Sequence, residues 1–112
     1  MAGLFWWIGP KTDKVLICEG FATAATLQEE TGNRVYMAFT ANNLMAVGRI
    51  VREKLPDAEI VFCADNDTTA GNPGLTKATA AAQAIGASVA VPPISGDFND
   101  YAILMKAVAN DK

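Results

Sequence analysis

At 112 residues the chain has room for one hydrophobic core and no second module. It is 51% hydrophobic and 19% charged with a mean hydropathy of +0.18, which is the balance of a compact fold and not of a disordered tail. With no histidine, Ser-His-Asp triads, Cys-His pairs and histidine-bound zinc are excluded, and a net charge of −3 with a pI near 4.7 argues against gripping a long tract of nucleic acid by electrostatics alone.

Residues 1–13 read as an extension ahead of the domain proper, with Gly3-Leu4-Phe5-Trp6-Trp7-Ile8-Gly9 as a strand from a preceding region. Adjacent tryptophans on a strand point to opposite faces, so one sheet face cannot bury both. One of them is expected to lie under a neighbouring domain or to stack on a base. Leu4 to Ile8 is too short to span a bilayer and lacks a basic flank, so neither a membrane anchor nor a signal peptide is expected, and the cytoplasm is the expected compartment.

From Lys14 on, short β-rich runs alternate with helical patterns, the signature of βαβ units around a parallel sheet. Strands are expected at Val15–Cys18, Val35–Phe39, Glu59–Ala64 and Ser88–Val91, each a nearly continuous apolar run suited to burial on both faces. Between them, a first helix runs from Phe21 to Thr31 and stops at Gly32. A second starts near Asn42 or Asn43, carries Leu44, Val47, Ile50, Val51 and Leu55 at helical spacing, and ends at Pro56. A third has Asn72 as N-cap, Pro73 at its first position and Gly86 after its last turn. Its small face, Ala78, Ala80, Ala81, Ala82 and Ala84, is expected to lie close against the sheet. A fourth begins after Asp97 and passes through Tyr101, Leu104 and Val108. The fold class is therefore α/β: three α/β/α layers around a four-stranded, mainly parallel sheet, with one further strand at the N terminus. Cys18 and Cys63 sit in apolar runs without metal spacing and read as buried, reduced thiols.

Ligands of parallel α/β sheets bind beyond the carboxyl ends of the strands, and here those positions are acidic. Glu19-Gly20 follows Val15–Cys18, with Gly20 expected to permit a tight turn; Asp65-Asn66-Asp67 follows Glu59–Ala64; Asp97-Phe98-Asn99-Asp100 follows the fourth strand and Pro92-Pro93. If Val15–Cys18 and Glu59–Ala64 are neighbours, roughly 4.8 Å apart, Glu19 and Asp65 share one sheet end. Carboxylates so placed repel unless one is protonated or a cation neutralises them, and an all-oxygen set with open positions suits Mg²⁺. Singly, each acid has a plain structural reading: Glu19 as a helix-dipole partner, Asp65-Asn66-Asp67 as a polar loop, Asp97 and Asp100 as an acidic helix start. Three acidic strand ends on one edge favour a site.

These residues resemble the toprim domain, shared by bacterial primases, type IA and type II topoisomerases, OLD-family nucleases and recombination-repair proteins. The resemblance rests on Cys18-Glu19-Gly20 and Asp65-Asn66-Asp67. The stretches Ile17–Leu27, Asn72-Pro73-Gly74-Leu75-Thr76-Lys77-Ala78 and Asp97-Phe98-Asn99-Asp100 are similar to plasmid and phage primase–helicase proteins. It covers Lys14 to Tyr101, placing a toprim domain of Rossmann-like fold at 14–112. It implies that Glu19 is the general acid or base, that Asp65 and Asp67 are Mg²⁺ ligands, with Mn²⁺ as a substitute, and that Asp97 stands beside them. Asn66, Lys77, Asn99, Asp100 and Gly20 would support the site, Lys77 by reaching a phosphate. Two features depart from the family pattern. The loop Thr68–Pro73 is longer than usual, leaving Gly71 and Gly74 as rival counterparts of one glycine. Asp-Phe-Asn-Asp stands where many primases have Asp-Pro-Asp.

The function so implied is Mg²⁺-dependent nucleotidyl transfer in primer synthesis on a DNA template from nucleoside triphosphates, within a larger primase whose zinc-binding and helicase domains lie elsewhere; the domain alone is expected to be inactive. The rival readings are a metal-dependent nuclease on the same fold and a non-catalytic nucleic-acid or assembly module. A receiver-type signalling domain would need a lysine ending a later strand, where this chain has Val91-Pro92-Pro93.

Overall fold

A computed structural model describes residues 4–64 and 73–91, except for the side chain of Pro73. In chain order the elements are β1 (Trp6–Ile8), β2 (Lys14–Cys18), α1 (Phe21–Thr31), β3 (Arg34–Met37), a 3-10 turn (Ala41–Asn43), α2 (Leu44–Lys54), β4 (Glu59–Cys63), α3 (Pro73–Ile85) and β5 (Ser88–Ala90). The expected fourth helix and the Asn72 cap lie outside the described residues.

The five strands form one sheet in the order β1-β3-β2-β4-β5. The pairs β2–β3, β2–β4 and β4–β5 are parallel, whereas β1 runs antiparallel to β3. Strand β2 is central, and Val15, Ile17 and Cys18 are fully buried, which is why Val-Leu-Ile-Cys reads as one unbroken apolar run. Its side chains alternate between two cores. Val15 and Ile17 join Ile60 and Phe62 beneath α2 and α3, while Leu16 and Cys18 join Val35, Met37 and Cys63 beneath α1. The three layers follow from this alternation, with one helix on one face and two on the other.

Helix α1 buries Thr23, Ala24 and Leu27 and ends at Gly32, whose φ of 73° is the left-handed conformation expected of a helix-terminating glycine. On α2 the buried positions are Leu44, Val47, Gly48 and Val51, one stripe at 3.6-residue spacing. On α3 only part of the expected small face is used. Ala78, Ala81 and Ala82 are buried, but Ala80 and Ala84 are exposed, because alanines so closely spaced encircle a helix and only one side meets α2, β4 and β5.

Three tertiary contacts hold these layers at close range. A Cβ on Gly48 would lie 2.6 Å from Cζ of the buried Phe62 and 3.2 Å from Cδ1 of Ile85, so α2 approaches the sheet at a distance that only glycine permits. Arg52 joins two helix ends: its Nε donates to the Ile85 carbonyl (3.0 Å) and Nη2 to that of Gly86 (3.2 Å), while Nη1 donates to those of Pro56 (3.2 Å) and Ala58 (2.7 Å). A charged donor thus satisfies carbonyls that the last turns leave free. Asn43, at the start of α2, does not cap it with its side chain. Its Nδ2 instead donates to the carbonyls of Leu4 (2.7 Å) and Ala38 (3.1 Å), tying the N-terminal segment to the end of β3.

Both cysteines are free and buried. Burial pushes the Cys63 thiol from its ordinary 9.0 up to about 12, with the Lys14 charge pulling it back in part. A thiol whose folded pKa exceeds its unfolded one adds stability that is present below the unfolded value and lost as pH rises. Urea titrations should therefore show wild type losing stability between about pH 9 and 12, by up to about 1.4 kcal/mol per pH unit more than Cys63→Ala; parallel profiles would contradict the burial. Gly48→Ala, although alanine is the better helix former, should cost about 1–3 kcal/mol through overpacking against Phe62, measurable by the same titration.

Candidate active site at the carboxyl edge of the sheet

The ladder between β2 and β3 continues past the strand ends. Ala38 N–H donates to the Cys18 carbonyl (2.9 Å) and Phe39 N–H to the Glu19 carbonyl (2.7 Å). Glu19 is therefore held in backbone while its side chain stays exposed at the carboxyl edge of the central strand. Gly20 follows as the N-cap of α1, its carbonyl accepting from Ala24 N–H (3.0 Å) and from Cys18 Sγ (3.4 Å). Its φ of −117° is open to any residue, and an added Cβ would meet nothing within 4 Å. The turn expected to need glycine does not need it, and among the described residues nothing packs against Gly20. No side chain caps α1 and no acid lies in its first turn, so the positive end of the helix dipole faces the same edge as the Glu19 carboxylate.

Strand β4 is the parallel neighbour of β2, with Ile17 level with Phe62, so the chain leaves β4 toward Asp65 from the strand beside the one carrying Glu19. Asp65, Asn66, Asp67, Asp97, Asn99 and Asp100 lie outside the described residues. Lys77 is exposed in the second turn of α3. Among the described residues no group of three potential ligands is gathered to hold a metal, Glu19 being the only described member of the acidic set. It fits a hard cation in being an exposed carboxylate on a fixed backbone.

One residue at this edge escaped the sequence reading. Phe39, expected to end a strand, instead leaves β3 with φ 71° and is half exposed. A bulky residue in the left-handed region costs about 1–3 kcal/mol and persists where the surroundings impose it; here the bond from Phe39 N–H to Glu19 does so. The local sequence gives no warning, since glycine and asparagine are the usual markers of positive φ. Phe21, which opens α1, is also exposed, and so two aromatic rings belong to the residues flanking Glu19. The two described concavities lie elsewhere and do not include Glu19.

A doubly covered, mainly parallel sheet with a glutamate directly after its central strand is the framework of a toprim site, and the family comparison agrees: residues 14–106 match the Toprim domain, and the chain belongs to that family. Two curated relatives are named DNA primase TraC, both from Escherichia coli. One is 36% identical over 102 residues, covering 87% of this chain, and the other 39% identical over 92 residues, covering 78%. The chain spans only 7% and 9% of their lengths. No solved structure matches the chain significantly. No helix among the described residues is long and apolar enough to cross a membrane.

The strain at Phe39 has a measurable consequence. Phe39→Gly should raise stability by about 1 kcal/mol as the left-handed penalty is relieved; a loss of stability would show that the ring's packing outweighs the strain.

Proposed function

We propose that the chain is the toprim catalytic domain of a larger DNA primase and performs Mg²⁺-dependent nucleotidyl transfer in primer synthesis. The observation that carries this reading is Glu19, exposed on a doubly fixed backbone at the carboxyl end of the central strand, in a chain whose relatives are named primases. Phosphoryl transfer asks of a protein mainly positioning and charge stabilisation, and an acidic strand edge supplies both with a hard cation. In this reading Asp65 and Asp67 hold Mg²⁺, or Mn²⁺ in its place, with Asp97 as a further ligand; the ion neutralises phosphate charge where the carboxylates alone would repel it.

Glu19 accepts the proton of the attacking 3′-hydroxyl, a general-base role for which its exposure leaves the necessary reach. The open N-terminus of α1 and Gly20 offer backbone N–H groups to phosphate oxygens. Lys77 meets a phosphate from α3, and Asn66, Asn99 and Asp100 orient the carboxylates. The partners are a DNA template and nucleoside triphosphates, and other domains, zinc-binding and helicase, supply the grip on template that a net charge of −3 does not. The strain at Phe39 supports the reading, since such backbone is stored where a site over-determines it.

The test separates metal binding from chemistry. Mn²⁺ titrated into the chain should bind wild type and Glu19→Gln comparably, and bind Asp67→Ala at least tenfold more weakly. In the longer protein that contains the domain, Glu19→Gln should lower primer synthesis on single-stranded DNA by 10²-fold or more. Equal Mn²⁺ binding by Asp67→Ala removes the metal site. Undiminished synthesis by Glu19→Gln removes the proton-transfer role, and plasmid nicking in place of synthesis makes the domain a nuclease.

A further inference from the structure

Strand β1 is the outermost strand on its side of the sheet, and α2 does not close over it. Phe5, Trp7 and Tyr36 form a connected aromatic row there, with ring centroids 6.2 Å apart for Phe5–Trp7, 5.8 Å for Phe5–Tyr36 and 6.4 Å for Trp7–Tyr36. The row lines a groove of about 290 Å³ together with Lys11, Arg34 and Lys54. Three of the chain's nine lysines and arginines thus converge on one groove, in a chain whose net charge is −3. Among the described residues no Asp or Glu lines it, while Asp13 and Asp57 line the adjoining concavity, which shares Lys11 and Lys54. The Arg34 guanidinium is fixed in place: its Nε donates to the Gly9 carbonyl (3.2 Å) and its Cζ stands 5.8 Å from the Trp7 ring centroid. Lys11 and Lys54 form no ion pair among the described residues.

The two tryptophans also depart from expectation. Their rings do not point to opposite faces but stack, with centroids 5.4 Å apart and planes at 29°, because a three-residue strand with an open edge leaves both indoles free to fold over it. Trp7, which lines the groove, is 41% exposed and Trp6, stacked on it, 58%, so ring surface remains open beside the three cations.

We propose that this groove binds single-stranded nucleic acid, with bases stacking on the β1 tryptophans and phosphates meeting Lys11 and Lys54. Aromatic faces interleaved with cations are the chemistry by which unpaired strands are held without sequence preference. The three cations among the described lining residues match a polyanion. The groove also points the right way. Leu4 and Ala38 share the Asn43 amide at the carboxyl end of β3, so a strand lying along the aromatic row leads toward the edge where Glu19 stands. The proposal goes beyond the metal chemistry and does not depend on it.

The chain's two tryptophans both lie in β1, so their fluorescence reports the groove directly. Oligo(dT) titrated into the chain in low salt with EDTA should quench it. Lys11→Ala/Lys54→Ala, checked for an unchanged circular dichroism spectrum, should bind at least tenfold more weakly and lower the log–log salt slope by about 1.4, the value for two lost phosphate contacts on single strands. Arg at both positions should restore both quantities. No quenching, an affinity and slope unchanged by the double alanine variant, or equal quenching by duplex DNA would overturn the proposal. Concentration-dependent quenching without oligonucleotide would overturn it too, by making a second copy of the chain the occupant. Because EDTA removes divalent ions, failure here leaves the acidic edge untouched, and loss of Mn²⁺ binding leaves this result standing.

Discussion

Everything in the structure depends on the burial of β2 on both faces and both edges. Val15, Ile17 and Cys18 have no accessible surface, and the strand has β3 on one side and β4 on the other. Each fully buried aliphatic side chain contributes about 1.5–3 kcal/mol, and a central strand cannot shift register by one residue without moving every side chain to the wrong core. That constraint gives Glu19 its place. It is the first residue past a strand that cannot slide, and the bond from Phe39 N–H to its carbonyl extends the constraint one residue further.

The neighbouring layers are fitted to this strand by contacts that leave little slack. Gly48 lets α2 come within reach of Phe62, and Arg52 ties the ends of α2 and α3 to one guanidinium. Asn43 does the same for the N-terminal segment, which lies outside the family match of 14–106 yet is bonded to the end of β3. The antiparallel β1 is thus joined to the same sheet through β3.

The charge distribution agrees with this division. Glu19 stands exposed at the carboxyl end of the central strand, while Lys11, Arg34 and Lys54 gather at the groove beside β1. A net charge of −3 averages the two and describes neither.

Much of this was legible in the amino-acid order, and the reason is locality. The apolar runs at Val15–Cys18 and Glu59–Cys63, the stripe on α2, Gly32 after α1 and the glutamate after the first parallel strand are all set by neighbours in sequence, so the α/β class and the position of Glu19 just past its strand could be read directly, whereas the pairing of β2 with β4 entered only as a condition that the sheet then met. What the tertiary structure decided depends on residues far apart in the chain. Phe39 is forced into positive φ by its bond to Glu19, and Gly48 is required on α2 because Phe62 of β4 packs against it. Gly20 proved dispensable to its turn, since no packing surrounds it, and the adjacent tryptophans stack because the strand they share is an open edge. The basic groove joins Lys11, Arg34 and Lys54, about twenty residues apart in sequence, and only the packing of β1 and α2 beside β3 brings them together.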